Sequence, residues 1–161
     1  MTINNAAEPI LVGVDGSDSS VEALREAAVL ADALQAPLEV VMVWEFPDQA
    51  DYYGISSSVI EGDARASLDD TVRAAFEEGP PDGLTAGLLY GPTKRTLIER
   101  SRHARMLVLG SRGHGGFMGM LLGSVSAACA EHAHCPVLVV HRPRVTEDEE
   151  QADGRTARSR A

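Results

Sequence analysis

Several residue types are scarce in this chain of 161 residues, and each scarcity removes a class of protein. A formal net charge of −10 argues against nucleic acid or an anionic membrane as a partner, because both reward a basic surface. Lys94 is the single lysine, so we expect an arginine to be the cation that meets a ligand phosphate. No apolar run approaches the roughly 20 residues that span a bilayer. The first residues also lack a basic region followed by an apolar core, so we expect no signal peptide and a cytoplasmic location.

Cysteine and histidine are too sparse and too poorly spaced to indicate a redox or metal site. The two cysteines, Cys129 and Cys135, do not form a C-x-x-C motif, and we expect small buried side chains at both positions. His132 and His134 are two residues apart at the end of an expected helix, where no single face presents both. We expect these histidines at the surface or near the helix C-terminus, where a positive charge is favoured.

The chain does have a regular alternation of short apolar runs and stretches with helical periodicity. The runs predict strands over residues 9–14, 38–44, 84–90, 105–109 and 136–141. The periodic stretches predict helices over residues 19–35, 61–78, 92–103 and 125–132, with a loop over residues 46–60. Ser19 and Glu22 have the spacing of a capping box at the first helix. This order predicts a single α/β domain over residues 8–143, an open parallel sheet with helices on both faces, followed by a disordered polar tail over residues 144–161.

The glycine pattern after the fourth expected strand is the strongest functional signal. Gly110, Gly113 and the pair Gly123-Ser124 have the spacing G-x2-G-x9-G-[S/T] between a strand and a helix. Glycine lets the backbone approach an anion closely, and the unpaired N–H groups of a first helical turn point at it. Ligands of open α/β sheets bind beyond the carboxyl ends of the strands. Asp15 ends the first strand, so it faces the same crevice if the first and fourth strands are neighbours.

Other interpretations of these residues stay open at the level of sequence. Gly110 and Gly113 could be tight-turn glycines, and Asp15 could be an Asx-turn or capping residue. Arg112 could give charge-assisted hydrogen bonds to a phosphate or be a solvated loop residue. The motifs G-x-x-x-x-G-K-[S/T] and G-x-G-x-x-G are absent from the expected positions, which disfavours a P-loop NTPase and a dinucleotide-binding Rossmann protein.

Longer segments around these residues resemble the universal stress protein family over residues 8–143. The resemblance rests on residues 10–17, 41–44, 107–113, 123–126 and 134–140, which read ILVGVDGS, VMVW, LVLGSRG, GSVS and HCPVLVV. It implies an adenine nucleotide alpha hydrolase-like fold with the sheet order 3-2-1-4-5. It also implies that the chain binds ATP, with Mg2+, and that it forms a homodimer through the last strand, Val137 to His141.

The resemblance also implies roles for individual residues. Asp15 would lie near the phosphates and ribose, where it could bind Mg2+ directly or through water, and Val43 would contact adenine through its backbone. Trp44, Phe46 and residues 52–53 could line the adenine pocket or a partner surface, or could simply pack a loop. The candidate nucleotide-binding residues are Gly13, Val14, Asp15, Val43, Gly110, Ser111, Arg112, Gly113, His114, Gly115, Gly116, Gly123, Ser124, Val125 and Ser126.

We therefore expect an ATP-binding regulatory protein of stress physiology that acts through an unidentified protein partner. No evident general base or activated nucleophile accompanies the glycine loop, so any hydrolysis is expected to be slow. One alternative is an adenylylating enzyme of the related nucleotide alpha hydrolase type, for which 161 residues leave little room. The other alternative is a dimeric scaffold whose glycine loop does not bind nucleotide.

Overall fold

Five parallel strands form one twisted sheet at the centre of the protein. The computed structural model describes residues 8–48, 50–113 and 122–141. The strands are β1 (Ile10–Val14), β2 (Leu38–Trp44), β3 (Leu84–Tyr90), β4 (Met106–Gly110) and β5 (Val137–Val140). Their order in the sheet is β3-β2-β1-β4-β5, which confirms the expected order and makes β3 and β5 the two edge strands.

Four α-helices alternate with the strands, as the sequence predicts. They are α1 (Asp18–Leu34), α2 (Ser57–Ala75), α3 (Thr93–Arg100) and α4 (Ser124–His132), and a 3-10 turn over Ser101–His103 extends α3. The side chains of α1 and α2 pack on one face of the sheet, and those of α3 and α4 pack on the other. No helix within the three described ranges is both long and apolar enough to cross a membrane.

The central strands are buried on both faces, which explains why they read as uninterrupted apolar runs. Ile10 and Val12 of β1 belong to the core beneath α1 and α2, whereas Leu11 belongs to the core beneath α3 and α4. The same alternation holds in β2, where Val40 and Val41 face opposite cores. Helices on both faces of a parallel sheet require this pattern, because neither face meets water.

The first helix begins two residues earlier than the expected capping box places it. Ser17 is the N-cap, with φ −76° and ψ 155°, and its hydroxyl accepts a hydrogen bond from Ser20 N at 3.3 Å. Ser19 therefore lies inside α1, and Glu22 pairs with Arg25 on the exposed side of the helix. The capping-box assignment is wrong because several serines in this segment can cap, and the Asp-Gly turn before them selects Ser17.

The second helix also differs from its expected bounds. It begins at Ser57, inside the expected loop over residues 46–60, and ends at Ala75. Its first two turns lie almost entirely at the surface, so they carry no apolar periodicity that sequence could reveal. The sequence predicts Pro92 as the first residue of α3. It is the N-cap instead, so the helix begins one residue later, at Thr93. The expected tail over residues 144–161 lies outside the described residues.

Candidate functional site

The carboxyl ends of β1 and β4 lie side by side, as the functional argument requires. Gly13 is in register with Leu109, so the segments that follow the two strands leave the sheet as neighbours. The backbone N–H of Arg112 donates to the hydroxyl of Ser19 in α1 at 3.4 Å. This crevice, between the β1–α1 turn and the β4–α4 loop, is the position where open α/β sheets bind ligands.

Asp15 has one carboxylate oxygen engaged locally and the other directed at the glycine loop. Its Oδ1 atom accepts hydrogen bonds from the Ser17 N–H at 3.0 Å and from the Ser17 hydroxyl at 2.6 Å. Its Oδ2 atom lies against the Cα side of Gly113, where an added Cβ would overlap it. The Asx-turn interpretation and the crevice interpretation of Asp15 are therefore compatible, because each uses a different oxygen.

The glycine at position 110 is required by packing within the protein. A Cβ added there would lie 2.7 Å from the backbone carbon and oxygen of Ser19 and would also overlap the Ser19 hydroxyl. Backbone atoms of a helix cannot move aside as the end of a side chain can. Gly110 thus lets the first turn of α1 pack directly on the end of β4, whatever binds in the crevice.

The glycine at position 123 has different surroundings. It is the N-cap of α4, with φ −67° and ψ 160°, and its N–H donates to the carbonyl oxygen of Ser111 at 2.7 Å. The described atoms nearest to an added Cβ, in Ser111, Arg112 and Gly113, lie at 3.5–3.7 Å, which is ordinary contact. Within the described residues no side chain caps α4, so its first N–H groups can receive an anion.

Two of the expected site serines serve the scaffold instead. Ser126 is 5% exposed, and its hydroxyl donates to the Gly110 carbonyl oxygen at 2.7 Å. A serine hydroxyl has one proton, so Ser126 is not placed to donate to a phosphate in this arrangement. Ser111 is also buried, and its N–H donates to the Val140 carbonyl oxygen at 2.8 Å, which ties the loop to β5. Ser124 and Arg112, in contrast, are exposed at the crevice.

The candidate residues on β1 and β2 form the floor beside this crevice. A Cβ on Gly13 would lie 2.7 Å from a methyl carbon of Leu109, so this glycine makes room for core side chains. Val14 is buried and pairs with Met42 at the end of the β1–β2 ladder. Val43 is the next residue of β2 after Met42, so its backbone lies beyond the carboxyl end of β1. His114, Gly115 and Gly116 lie outside the described residues.

The structure adds one aromatic residue that the sequence argument missed. Tyr90 is in register with Trp44, and their rings meet edge to face with centroids 4.9 Å apart. Each residue is the last of its strand, and the two strands have equal length. The expected strand bounds could therefore have predicted that Tyr90 lies beside Trp44. Tyr52 and Tyr53 also meet edge to face and are 88% and 70% exposed, so they do not pack a loop interior.

Cys129 is buried, as expected, whereas Cys135 is only half-buried. Burial raises the pKa of the Cys129 thiol from 9.0 to about 11, and the nearby Cys135 adds to the rise. Burial also raises the pKa of Cys135, which is only half-buried. A protonated thiol is a poor nucleophile and metal ligand. Among the residues described, no group of three or more histidines, cysteines and carboxylates could hold a metal ion.

Comparison with known proteins identifies relatives of this chain. A model of the universal stress protein family matches residues 7–141. The universal stress protein Rv2623 of Mycobacterium tuberculosis is 34% identical over 131 residues, which cover 81% of this chain and 44% of the relative. A universal stress protein of Mycolicibacterium smegmatis is 35% identical over 136 residues, which cover 84% of this chain and 46% of the relative. The chain thus spans about half the length of the curated relatives that it matches.

Solved structures of universal stress proteins share the overall fold. A universal stress protein in complex with cAMP is 26% identical, with a TM-score of 0.66, and the match covers 86% of this chain and 100% of that chain. The universal stress protein of Archaeoglobus fulgidus in complex with dAMP is 24% identical, with a TM-score of 0.59, and the match covers 83% and 98%. The second likeness bears on the fold alone. The fold is therefore adenine nucleotide alpha hydrolase-like, as expected.

Proposed function

This chain belongs to the universal stress protein family, and we propose that it is a regulatory protein that binds ATP, with Mg2+, in the crevice between β1 and β4. The observation that carries the proposal is the surroundings of Gly123. Gly123 opens an α4 amino end without a described side-chain cap, beside Arg112 and Gly113, and a Cβ there would meet no described atom closer than 3.5 Å. The described atoms leave room for a Cβ at this position, whereas a phosphate close to the backbone would require glycine.

The phosphates would lie over the amino end of α4. The N–H groups of Gly113, Ser124 and Val125 would donate to phosphate oxygens, together with the exposed Ser124 hydroxyl. Arg112 is the exposed cation of this loop and would add a charge-assisted hydrogen bond. Support for a nucleotide as the ligand comes from the relative that is 26% identical and is seen in complex with cAMP.

Asp15 fits the proposal only with a partner for its charge. A carboxylate beside a phosphate is repelled unless a cation or a hydroxyl group lies between them. The Oδ2 atom of Asp15 faces Gly113, where it could meet Mg2+ directly or through water, or accept from a ribose hydroxyl. Val43 would offer its backbone to the base, because β2 continues past the end of β1 on this side.

The proposed role is regulatory rather than catalytic. Asp15 is a titratable acid of the described part of the crevice, and we propose that ATP hydrolysis there is slow. We propose that nucleotide occupancy selects a protein partner and that the protein forms a homodimer through β5. That strand is an edge of the sheet, and Leu138 in it is 36% exposed, so it can pair with a second copy.

The nucleotide content of freshly purified protein tests the proposal. The protein is denatured, and the supernatant is separated by anion exchange with mass detection. We expect ATP near one equivalent per chain, or stoichiometric binding of added Mg-ATP by emptied protein. Protein that is empty and does not bind added Mg-ATP would refute the proposal and favour a scaffold. AMP with pyrophosphate release would favour an adenylylating enzyme instead, and ADP would favour hydrolysis of the γ-phosphate.

A further inference from the structure

The N-cap and first turn of α1 contact both peptide groups that Arg112 joins. The Arg112 N–H donates to the Ser19 hydroxyl at 3.4 Å. The Arg112 carbonyl oxygen lies 3.5 Å from the hydroxyl oxygen of Ser17. The same turn also contacts the start of the loop, because Gly110 packs against the Ser19 backbone. The two peptide groups that Arg112 joins are thus in contact with residues 93 and 95 positions away in the chain.

These contacts of Arg112 indicate the direction of the Gly113 N–H. The described peptide bonds include no cis bond, and in a planar trans peptide the C=O and the following N–H point in opposite directions. Since the Arg112 C=O faces Ser17, the N-cap of α1, the Gly113 N–H faces away from α1. On that side the Gly113 nitrogen lies 3.7 Å from the position of a Cβ built on Gly123, at the amino end of α4.

We propose that Ser19 is a positioning residue of the nucleotide site, which aims the Gly113 N–H at a phosphate without contacting the ligand. The proposal rests on the proposed function and extends it to a residue of α1. Its ligand class is a phosphorylated nucleoside, because the aimed group is a hydrogen-bond donor for an anion. A nucleoside without phosphate does not use this donor, and its affinity is independent of Ser19.

Ser19 is a cleaner test than Ser17. The Ser17 hydroxyl also donates to Asp15 and accepts from the N–H of Ser20 as the helix cap, so its removal changes three things at once. Ser19 lies inside α1, where alanine is a good helix former. The variant Ser19→Ala removes the acceptor of the Arg112 N–H and keeps the helix. Ser19→Thr keeps the hydroxyl.

The experiment is isothermal titration of the full chain with Mg-ATP and, separately, with adenosine. For Ser19→Ala we expect ATP to bind about three- to tenfold more weakly, the worth of one hydrogen bond, and adenosine to bind unchanged. Ser19→Thr should bind ATP within about twofold of the unmodified protein. Ser58→Ala, at an exposed serine in the first turn of α2, is the matched control and should change neither affinity.

Three results would overturn this inference. They are an unchanged ATP affinity in Ser19→Ala, an equal loss of ATP and adenosine affinity, and a loss in Ser19→Thr as large as that in Ser19→Ala. These results leave the proposed function intact, since it depends only on the unmodified protein. If the unmodified protein binds no nucleotide, the proposed function fails and the inference fails with it.

Discussion

The end of β4 and the start of α4 both carry a glycine, but for different physical reasons. Gly110 has no room for a Cβ, because the Ser19 backbone occupies the space. Gly123 has room, since the nearest described atoms would lie at ordinary contact distance. One glycine therefore serves the packing of α1 on the sheet, and the other keeps an approach to the backbone open. A spacing motif records both without distinguishing them, and substitutions can separate them.

The largest expected effect is on binding, at the glycine between these two. Gly113→Asp should weaken Mg-ATP binding by at least about 100-fold, about 2.7 kcal/mol. The new carboxylate would face Asp15, which already lies against this position, and would repel a phosphate at the same place. Titration calorimetry measures the affinity. Gly62→Asp, at a helical glycine with no atom near its Cβ position, is the control and should bind normally. Equal affinities in the two variants would remove Gly113 from the site.

The next effect is on stability, at the position governed by packing. Gly110→Ala should lower the free energy of unfolding by about 1–3 kcal/mol, because the added methyl group forces α1 away from β4. Chemical denaturation gives this value directly. Gly123→Ala is the comparison variant, and we expect it to lose less stability than Gly110→Ala and more affinity for ATP. The contrast between the two glycines is wrong if Gly123→Ala unfolds more easily than Gly110→Ala.

A smaller effect separates two serines on the first turn of α4. Ser126→Ala should cost about 1 kcal/mol of stability, because the Gly110 carbonyl oxygen loses its donor in a buried place. Ser124→Ala should leave stability nearly unchanged, since its side chain is exposed, and should weaken ATP relative to adenosine. Denaturation and titration of both variants test the pair. A phosphate-specific loss in Ser126→Ala without destabilisation would return that hydroxyl to the binding site.

The sheet is well predicted from the sequence, because strands that are buried on both faces appear as short apolar runs. Each strand of a covered parallel sheet is a short apolar run, and the intervening helices show their inner faces periodically, as Leu68 and Ala75 do in α2. The start of α2 shows no such pattern, because its first turns extend past the core into solvent. Composition and period report burial, so an exposed helical turn looks like a loop.

The site is predictable in position but less so in the role of each residue. The rule for open sheets and the glycine spacing place the crevice at the ends of β1 and β4. That Ser126 bonds to Gly110 and that Ser19 meets Arg112 depends on contacts across the fold, the second over 93 positions. Local pattern cannot report such contacts. A buried serine and a ligand-binding serine therefore look alike in the sequence.

At neutral pH the smallest predicted effect lies on the inner face of α4, and it appears only as the pH rises. Cys129 is fully buried there, and burial raises the pKa of its thiol from 9.0 to about 11. Between these values the unfolded chain loses the thiol proton while the folded chain keeps it, so the unfolded state binds fewer protons. Stability is then complete below pH 9 and falls as the pH rises toward 11.

Denaturation of Cys129→Ala at several pH values measures this slope against that of the unmodified protein. We expect a flatter decline between pH 9 and 11 in Cys129→Ala. Cys135→Ala should flatten it less, because that thiol is only half-buried. Equal slopes in all three proteins would mean that the Cys129 thiol is no harder to ionise in the folded protein. With the expected result, α4 responds to pH through the stability of its inner face, while its amino end responds to substitution through binding.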